Sequence, residues 1–248
     1  AVGIGRSQRA AMESANIHGT ELLLDAAIEE GVGRIVYVSS VAVFGNTRGR
    51  VIDETFNRTE TRFLSWYERT KYLAHQAVLS RVSDDAPIVI VQPGQIYGPG
   101  DHSLVGGQLE RSARGELRFH SFPELGIVLV HVDDAVDGLL RAHENGKLGR
   151  TYILGGERTT LGEAIERAAV AGGHETPAWT VPPTLLRAAS PFGRLLAIRG
   201  RAPANLGEIV SAAHKTTYWA SDARARAELG YSPRPLDAGL AEMFGGAA

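Results

Sequence analysis

The sequence predicts an α/β fold, an open parallel sheet with helices on its faces followed by a smaller, mostly helical C-terminal portion. Two runs carry that reading: Arg34-Ile-Val-Tyr-Val-Ser39 and Pro87-Ile-Val-Ile-Val91. Both are continuously apolar rather than alternating, as suits strands buried on both faces of a parallel sheet. A helical pattern precedes each, and the strand–helix–strand rhythm calls for right-handed crossovers.

The elements follow in order. Gln8 to Gly31 reads as a helix, with Leu22, Leu23, Ala26, Ala27 and Ile28 at helical spacing and Gly31 and Gly33 ending it. After the first strand, Phe44 to Arg62 is polar and glycine-containing, a loop. A second helix covers about Ser65 to Val82. Beyond the second strand, Pro93, Gly94, Gly98, Pro99 and Gly100 predict a long irregular turn. A helix near Val105 to Arg114, a strand at Gly126 to His131, a helix from Asp133 to Glu144 with Asp133 as its cap, and a strand at Thr151 to Leu154 come next. From about Glu157 the pattern is short helices divided by Pro182, Pro183, Pro191 and Pro203.

Composition narrows the function. The 248 residues are 44% hydrophobic and 22% charged, enough for a sizeable core. Lysine and arginine total 26 against 28 acidic residues, so no nucleic-acid-binding face is implied. With no cysteine there is no disulfide and no thiolate metal site. No apolar run reaches the roughly 20 residues of a membrane helix. A soluble, cytoplasmic protein acting on a small molecule is the expectation. The histidines show no metal-ligand spacing; His18 and His75 read as helix surface or interface positions. Trp66, Trp179, Tyr218 and Trp219 read as packing residues. Ser40 has no G-x-S-x-G elbow around it, which argues against a hydrolase.

Two features could carry chemistry. Tyr67 and Lys71, four apart on the second helix, share one face. A phenol near pKa 10 is a poor acid or base at neutral pH, and an ammonium beside it favours the phenolate. Such a pair arises by chance about once in twelve sequences of this composition. Ser39 and Ser40 end the first strand, on the sheet edge where ligands bind in open α/β folds. A hydroxyl there can donate to a substrate oxygen.

These residues sit within a larger resemblance. Val36-Tyr-Val-Ser-Ser-Val-Ala-Val-Phe-Gly45 is similar to the V-Y-x-S-S-x-x-V-Y-G stretch of the extended short-chain dehydrogenases/reductases, a superfamily that includes the NAD-dependent epimerases and dehydratases. Asn16-Ile-His-Gly-Thr20 resembles their N-x-x-G-T helix motif, and Gln92-Pro-Gly-Gln-Ile-Tyr-Gly-Pro-Gly-Asp101 their R-P-x-x-V-Y-G-P-G-D turn. His131-Val-Asp-Asp134 and Tyr152-Ile-Leu-Gly-Gly156 match in type and order, and Ala220 to Tyr231 resembles the family's ending. The tail is closer to the dihydroflavonol-reductase-like branch than to the sugar-nucleotide enzymes.

The resemblance implies a Rossmann-type parallel sheet lacking its first βαβ units. Residues 1–94 and 126–156 would form the partial Rossmann domain, and 95–125 and 157–248 the substrate-binding portion. It implies NAD or NADP as cofactor. Ser40 would polarise the substrate carbonyl, Tyr67 act as acid/base, Lys71 hold the nicotinamide ribose and tune Tyr67, and Asn16 support the proton relay. Pro93, Gly94 and Ile96 would approach the nicotinamide, and Phe44, Gln95 and Tyr97 would border substrate. His131 and Asp133 would be structural. Gln92 stands where the family has arginine and Phe44 where it has tyrosine, which puts the substrate in doubt but leaves the proton-transfer trio intact. Gly3 and Gly5 follow no strand, so the glycine-rich turn that receives the cofactor pyrophosphate is expected to be missing, with about 70 residues before Ala1. The chain then reads as a fragment that grips the cofactor weakly. The activity implied is hydride transfer between nicotinamide and a carbonyl or alcohol. A nucleotide-sugar epimerase or dehydratase, for which Arg187, Arg194, Arg199 and Arg201 are candidate basic residues that a solvated helix face explains as well, and an inactive or regulatory relative are the alternatives. A homodimer through a four-helix interface, residues 9–31 and 65–83 of each copy, is also implied.

Overall fold

Four consecutive aliphatic residues, Ile88, Val89, Ile90 and Val91, have no exposed surface, because they form the middle strand of a sheet covered on both faces. The computed structural model describes residues 8–176, 179–189 and 206–245. Strand β1 (Ile35–Val38), β2 (Ile88–Pro93) and β6 (Thr151–Leu154) run parallel in the order β1-β2-β6, with Val38 opposite Val91 and Pro93 opposite Leu154. Successive side chains on a strand point to opposite faces. Ile88 and Ile90 therefore pack against Leu24 of helix α2 (Gly19–Glu29) and Val78 of α3 (Trp66–Ser83). Val89 and Val91 pack on the other face, against Ala135 and Ala142 of α5 (Val132–Asn145). Each fully buried aliphatic side chain contributes about 1.5–3 kcal/mol of transfer free energy.

The first helix is interrupted. α1 (Arg9–Glu13) runs into a π-helical turn, Ser14–His18, before α2 begins. The Thr20 hydroxyl donates to the Asn16 carbonyl at 2.8 Å, supporting the widened turn. Serine starts α3 as predicted: Ser65 Oγ accepts from the Glu68 amide at 3.1 Å. The Glu68 carboxylate, 1% exposed, turns back to the Leu64 amide at 3.2 Å and to Arg58 Nη1 at 2.5 Å. Gly45, at φ +71°, makes room for that arginine, since a Cβ there would lie 2.9 Å from Arg58 Nη1.

Several elements differ from the sequence reading. Gln95–Tyr97, inside the predicted irregular turn, forms strand β3, parallel to β5 (Gly126–His131). Glu157–Thr160 forms β7, antiparallel to β5, where short helices were expected to begin. Both pair with β5, whose apolar run needs partners on two sides, and a requirement set 30 residues away leaves no local signal. Phe119–Ser121 (β4) and Trp179–Val181 (β8) pair in a two-stranded sheet. Trp179, expected to pack, is 75% exposed on β8. Asp133 does not cap α5; His131 does, its Nδ1 accepting from the Asp133 amide at 3.4 Å, because the buried imidazole lies beneath the helix start while the Asp133 side chain points to solvent.

The other elements follow the prediction. α4 (Leu104–Ala113), α6 (Leu161–Ala171) and α10 (Leu236–Phe244) enclose a second core with β3 and β5, made of Tyr97, Leu109, Leu129, Ile165 and Leu240 among others. Helices α7 (Pro183–Ala189), α8 (Leu206–Ala213) and α9 (Ala223–Leu229) complete the described C-terminal part. Gly3, Gly5, Pro191, Arg194, Arg199, Arg201 and Pro203 and the Arg187 side chain lie outside the described residues. No described helix is long and apolar enough to cross a membrane.

Candidate active site

At the C-terminal end of β1 the chain leaves the sheet through Ser39 and Ser40, and α3 crosses beside it. Ser40 is extended and caps a 3-10 turn, Val41–Phe44, its Oγ accepting from the Ala42 amide at 3.2 Å. The same hydroxyl lies near enough to the half-buried Tyr67 phenol to favour its ionised form. One turn along α3, Lys71 Nζ donates to the Val38 carbonyl at 3.0 Å and lies 5.8 Å over the Tyr37 ring. Three residues that the sequence singles out, Ser40, Tyr67 and Lys71, are thus brought together at the sheet edge.

The electrostatics differ from the sequence expectation. Burial pushes the Tyr67 phenol up from its usual value, and the Ser40 hydroxyl only partly offsets this. Burial also pulls the Lys71 ammonium down. The lowering of the phenol by the lysine is therefore not what governs Tyr67 here; desolvation is. Neighbouring Tyr37 is pushed up to about 12, again by burial, with the nearby Thr20 hydroxyl working against it.

Asn16 stands behind this group. It is buried in the π-helical turn, and its Nδ2 donates to Thr70 Oγ1 at 3.0 Å; Thr70 Oγ1 in turn donates to the Tyr67 carbonyl at 3.0 Å. A π turn inside an α-helix is frequently found at functional sites.

The remaining residues that the sequence assigns to the site fall into two sets. Pro93 is buried, Ile96 is 38% exposed and Gln95 is half-buried, its Nε2 donating to the Ile96 carbonyl at 3.1 Å. Gly94 has a reason inside the protein for lacking a side chain: a Cβ would lie 2.4 Å from the Val128 carbonyl oxygen. Tyr97 is only 2% exposed and packs in the second core, its ring edge-on to His131 at 5.3 Å. Phe44 is likewise buried, edge-on to Phe56 at 6.0 Å. Those two side chains face cores and support the site from behind.

Sequence reasoning missed His75. It is buried rather than on the surface, and its Nδ1 lies 3.1 Å from Ser39 Oγ. The signal was present as its spacing, four residues beyond Lys71 on the Tyr67 face. Trp66 packs as expected, held between the Arg9 and Arg69 guanidinium groups, each 4.6 Å from its ring centroid. Tyr218 packs beside Val41 and Phe44, and Trp219 Nε1 donates to the Thr159 carbonyl at 3.1 Å. Among the described residues His131, Asp133 and Glu242 bring three metal-ligand-type atoms together, but the Arg234 guanidinium pairs with both carboxylates.

Comparison with known proteins shows the family and the fold. The profile described as "NAD dependent epimerase/dehydratase family" matches residues 2–155. A protein of Synechocystis sp., provisionally named dihydroflavonol 4-reductase, is 30% identical over 96% of this chain and 71% of its own length. Sterol demethylase protein B of Methylococcus capsulatus is 29% identical over 75% of this chain, which spans 57% of that relative. 2-alkyl-3-oxoalkanoate reductase of Stenotrophomonas maltophilia is 28% identical, covering 92% and 73%. The crystal structure of gox2253 superposes with a TM-score of 0.80 at 31% identity, over 98% of this chain and 74% of that one. A dTDP-glucose 4,6-dehydratase of Bacillus anthracis, solved with NAD, shares the fold at TM-score 0.71 and 18% identity, over 94% and 67%.

Proposed function

Because the chain belongs to the NAD dependent epimerase/dehydratase family, we propose that it serves a nicotinamide-dependent oxidoreductase, with Tyr67 moving the proton and a carbonyl or alcohol as substrate. The observation that carries this reading is the meeting of Ser40, at the end of β1, with Tyr67 and Lys71 of α3, whose ammonium is anchored on the Val38 carbonyl. NAD or NADP would supply the hydride chemistry.

The residues suit the nicotinamide-ribose end of such a cofactor. The Lys71 ammonium spends one of three donors on Val38, leaving others for a pair of vicinal hydroxyls. Tyr67 lies one turn away, and Pro93, Gly94 and the exposed Ile96 would flank the ring. Ser40 would donate to the substrate oxygen while Tyr67 delivers or removes its proton. Asn16 would hold α3 in place through Thr70, and Gln95 would border substrate, with Phe44 and Tyr97 behind. The same trio would serve a sugar-nucleotide epimerase or dehydratase; relatives named as reductases at 28–30% identity favour the reductase.

A panel of ketones and aldehydes with NADH or NADPH is expected to show consumption of the reduced cofactor. Conversion of a UDP-sugar with no net change in NADH would sink this in favour of the epimerase. Inactivity on both would leave a regulatory role.

The exposed leucines of α2, Leu22 and Leu23 at 71% and 72%, support pairing of two copies through α2 and α3. Sedimentation is expected to show a dimer that Leu23→Arg converts to monomer. A wild-type monomer would count against the pairing.

A further inference from the structure

Val38, Ser39 and Ser40 each meet a different side chain of α3, and the three side chains are spaced four residues apart. The Val38 carbonyl accepts from Lys71, Ser39 Oγ meets His75 Nδ1 at 3.1 Å, and Ser40 meets Tyr67. From the other side the Ser39 amide donates to the Val91 carbonyl at 2.8 Å, so the strand end is gripped between sheet and helix. Ser39 and His75 are 4% and 8% exposed, so their hydrogen bond forms in a nearly dry layer directly beneath the residues that face ligand. A buried imidazole needs a partner, and an aliphatic side chain would fill the same space without one.

We propose that His75 is a positioning residue: its imidazole clamps Ser39 and thereby holds Ser40 in register with Tyr67. The inference rests on the reading of Ser40 and Tyr67 as the proton-transfer pair. Burial, and then the Lys71 ammonium, bring the His75 pKa down to about 4, so the clamp stays uncharged at neutral pH. Slippage of Ser39 would carry the neighbouring Ser40 hydroxyl away from Tyr67, and that hydroxyl works against burial in setting the phenol pKa.

The test needs neither cofactor nor substrate. In the full chain carrying 13Cζ-labelled tyrosine, the Tyr67 NMR signal is assigned by its loss in Tyr67→Phe, and its ionisation is followed with pH. Ser39→Ala and His75→Leu are each expected to raise the Tyr67 midpoint by about half a pH unit or more. The double variant should rise no further, since both changes break one link. His75→Asn, whose amide reaches the Nδ1 position, should keep the wild-type midpoint. The ionisable neighbours Tyr37 on β1 and Lys71 on α3 are the same in every variant. A folded Ser39→Ala with an unmoved midpoint, or additive shifts in the double variant, would overturn the clamp. Ser39→Ala keeps the question decidable if His75→Leu fails to fold. Failure of the functional reading is seen separately, as undiminished turnover by Tyr67→Phe.

Discussion

Tyr67→Phe is expected to lower carbonyl reduction by about 10²–10⁴-fold, the range for loss of a positioned general acid. The phenyl ring keeps the packing, and loss of a half-buried hydroxyl costs only about 1 kcal/mol, so the melting temperature should change little. The direction of the Tyr67 pKa adds a pH signature. Burial raises it, so the phenol stays protonated through neutral pH, as a proton donor must be. Reduction should then be flat through neutrality and fall only in alkali. Alcohol oxidation needs the phenolate and should climb about tenfold per pH unit below the phenol's pKa. Rates measured in both directions from pH 6 to 10 would decide the matter. A Phe variant within twofold of wild type, or oxidation indifferent to pH, would remove Tyr67 from the mechanism.

Arg58→Ala is expected to destabilise the fold by about 3–5 kcal/mol, the usual cost of removing one partner from a buried ion pair. The pair is nearly sealed, with side-chain exposures of 5% for Arg58 and 1% for Glu68. Arg58 also donates to the Glu60 and Arg62 carbonyls at 2.8 and 2.7 Å and stacks 4.5 Å from the Phe63 ring centroid. Burial already raises the Glu68 pKa, and Arg58 is what pulls it back. Without the guanidinium the carboxyl rises further above its unfolded value. The penalty grows as pH rises above the unfolded glutamate pKa of about 4.3 and vanishes below it, where the group is neutral in both states. Urea unfolding at pH 7 and pH 4.5 measures both. A loss under 1 kcal/mol at pH 7 would show that the pair contributes little. Because Glu68 follows Tyr67 directly, a folded Arg58→Ala should also lose turnover.

Much of this protein was legible in its residues. The runs at residues 34–39 and 87–91 read as buried parallel strands and are so, and Ser65 marked the start of α3 to within a residue. That Ser40 ends a strand and that Tyr67 and Lys71 share a helix face are local properties, fixed by periodicities of two and 3.6, whereas their meeting at one sheet edge was implied by the family resemblance. The short strands β3 and β7 were hidden, because three or four residues pair only when a distant neighbour offers an edge. His75 was misplaced for the same reason: its helical spacing was visible, but its burial depends on what packs over it.

The sequence by itself determined the fold class, the order of the elements and the identity of the residues at the sheet edge, since these follow from the pattern along the chain. The tertiary structure alone decided how those residues are tuned. Whether Gly94 lacks a side chain for a ligand or for the Val128 carbonyl depends on an approach between segments 34 residues apart. Whether Tyr67 is pushed towards phenolate or held as phenol depends on how much water the surrounding elements exclude, and desolvation belongs to the whole packed site rather than to any stretch of sequence.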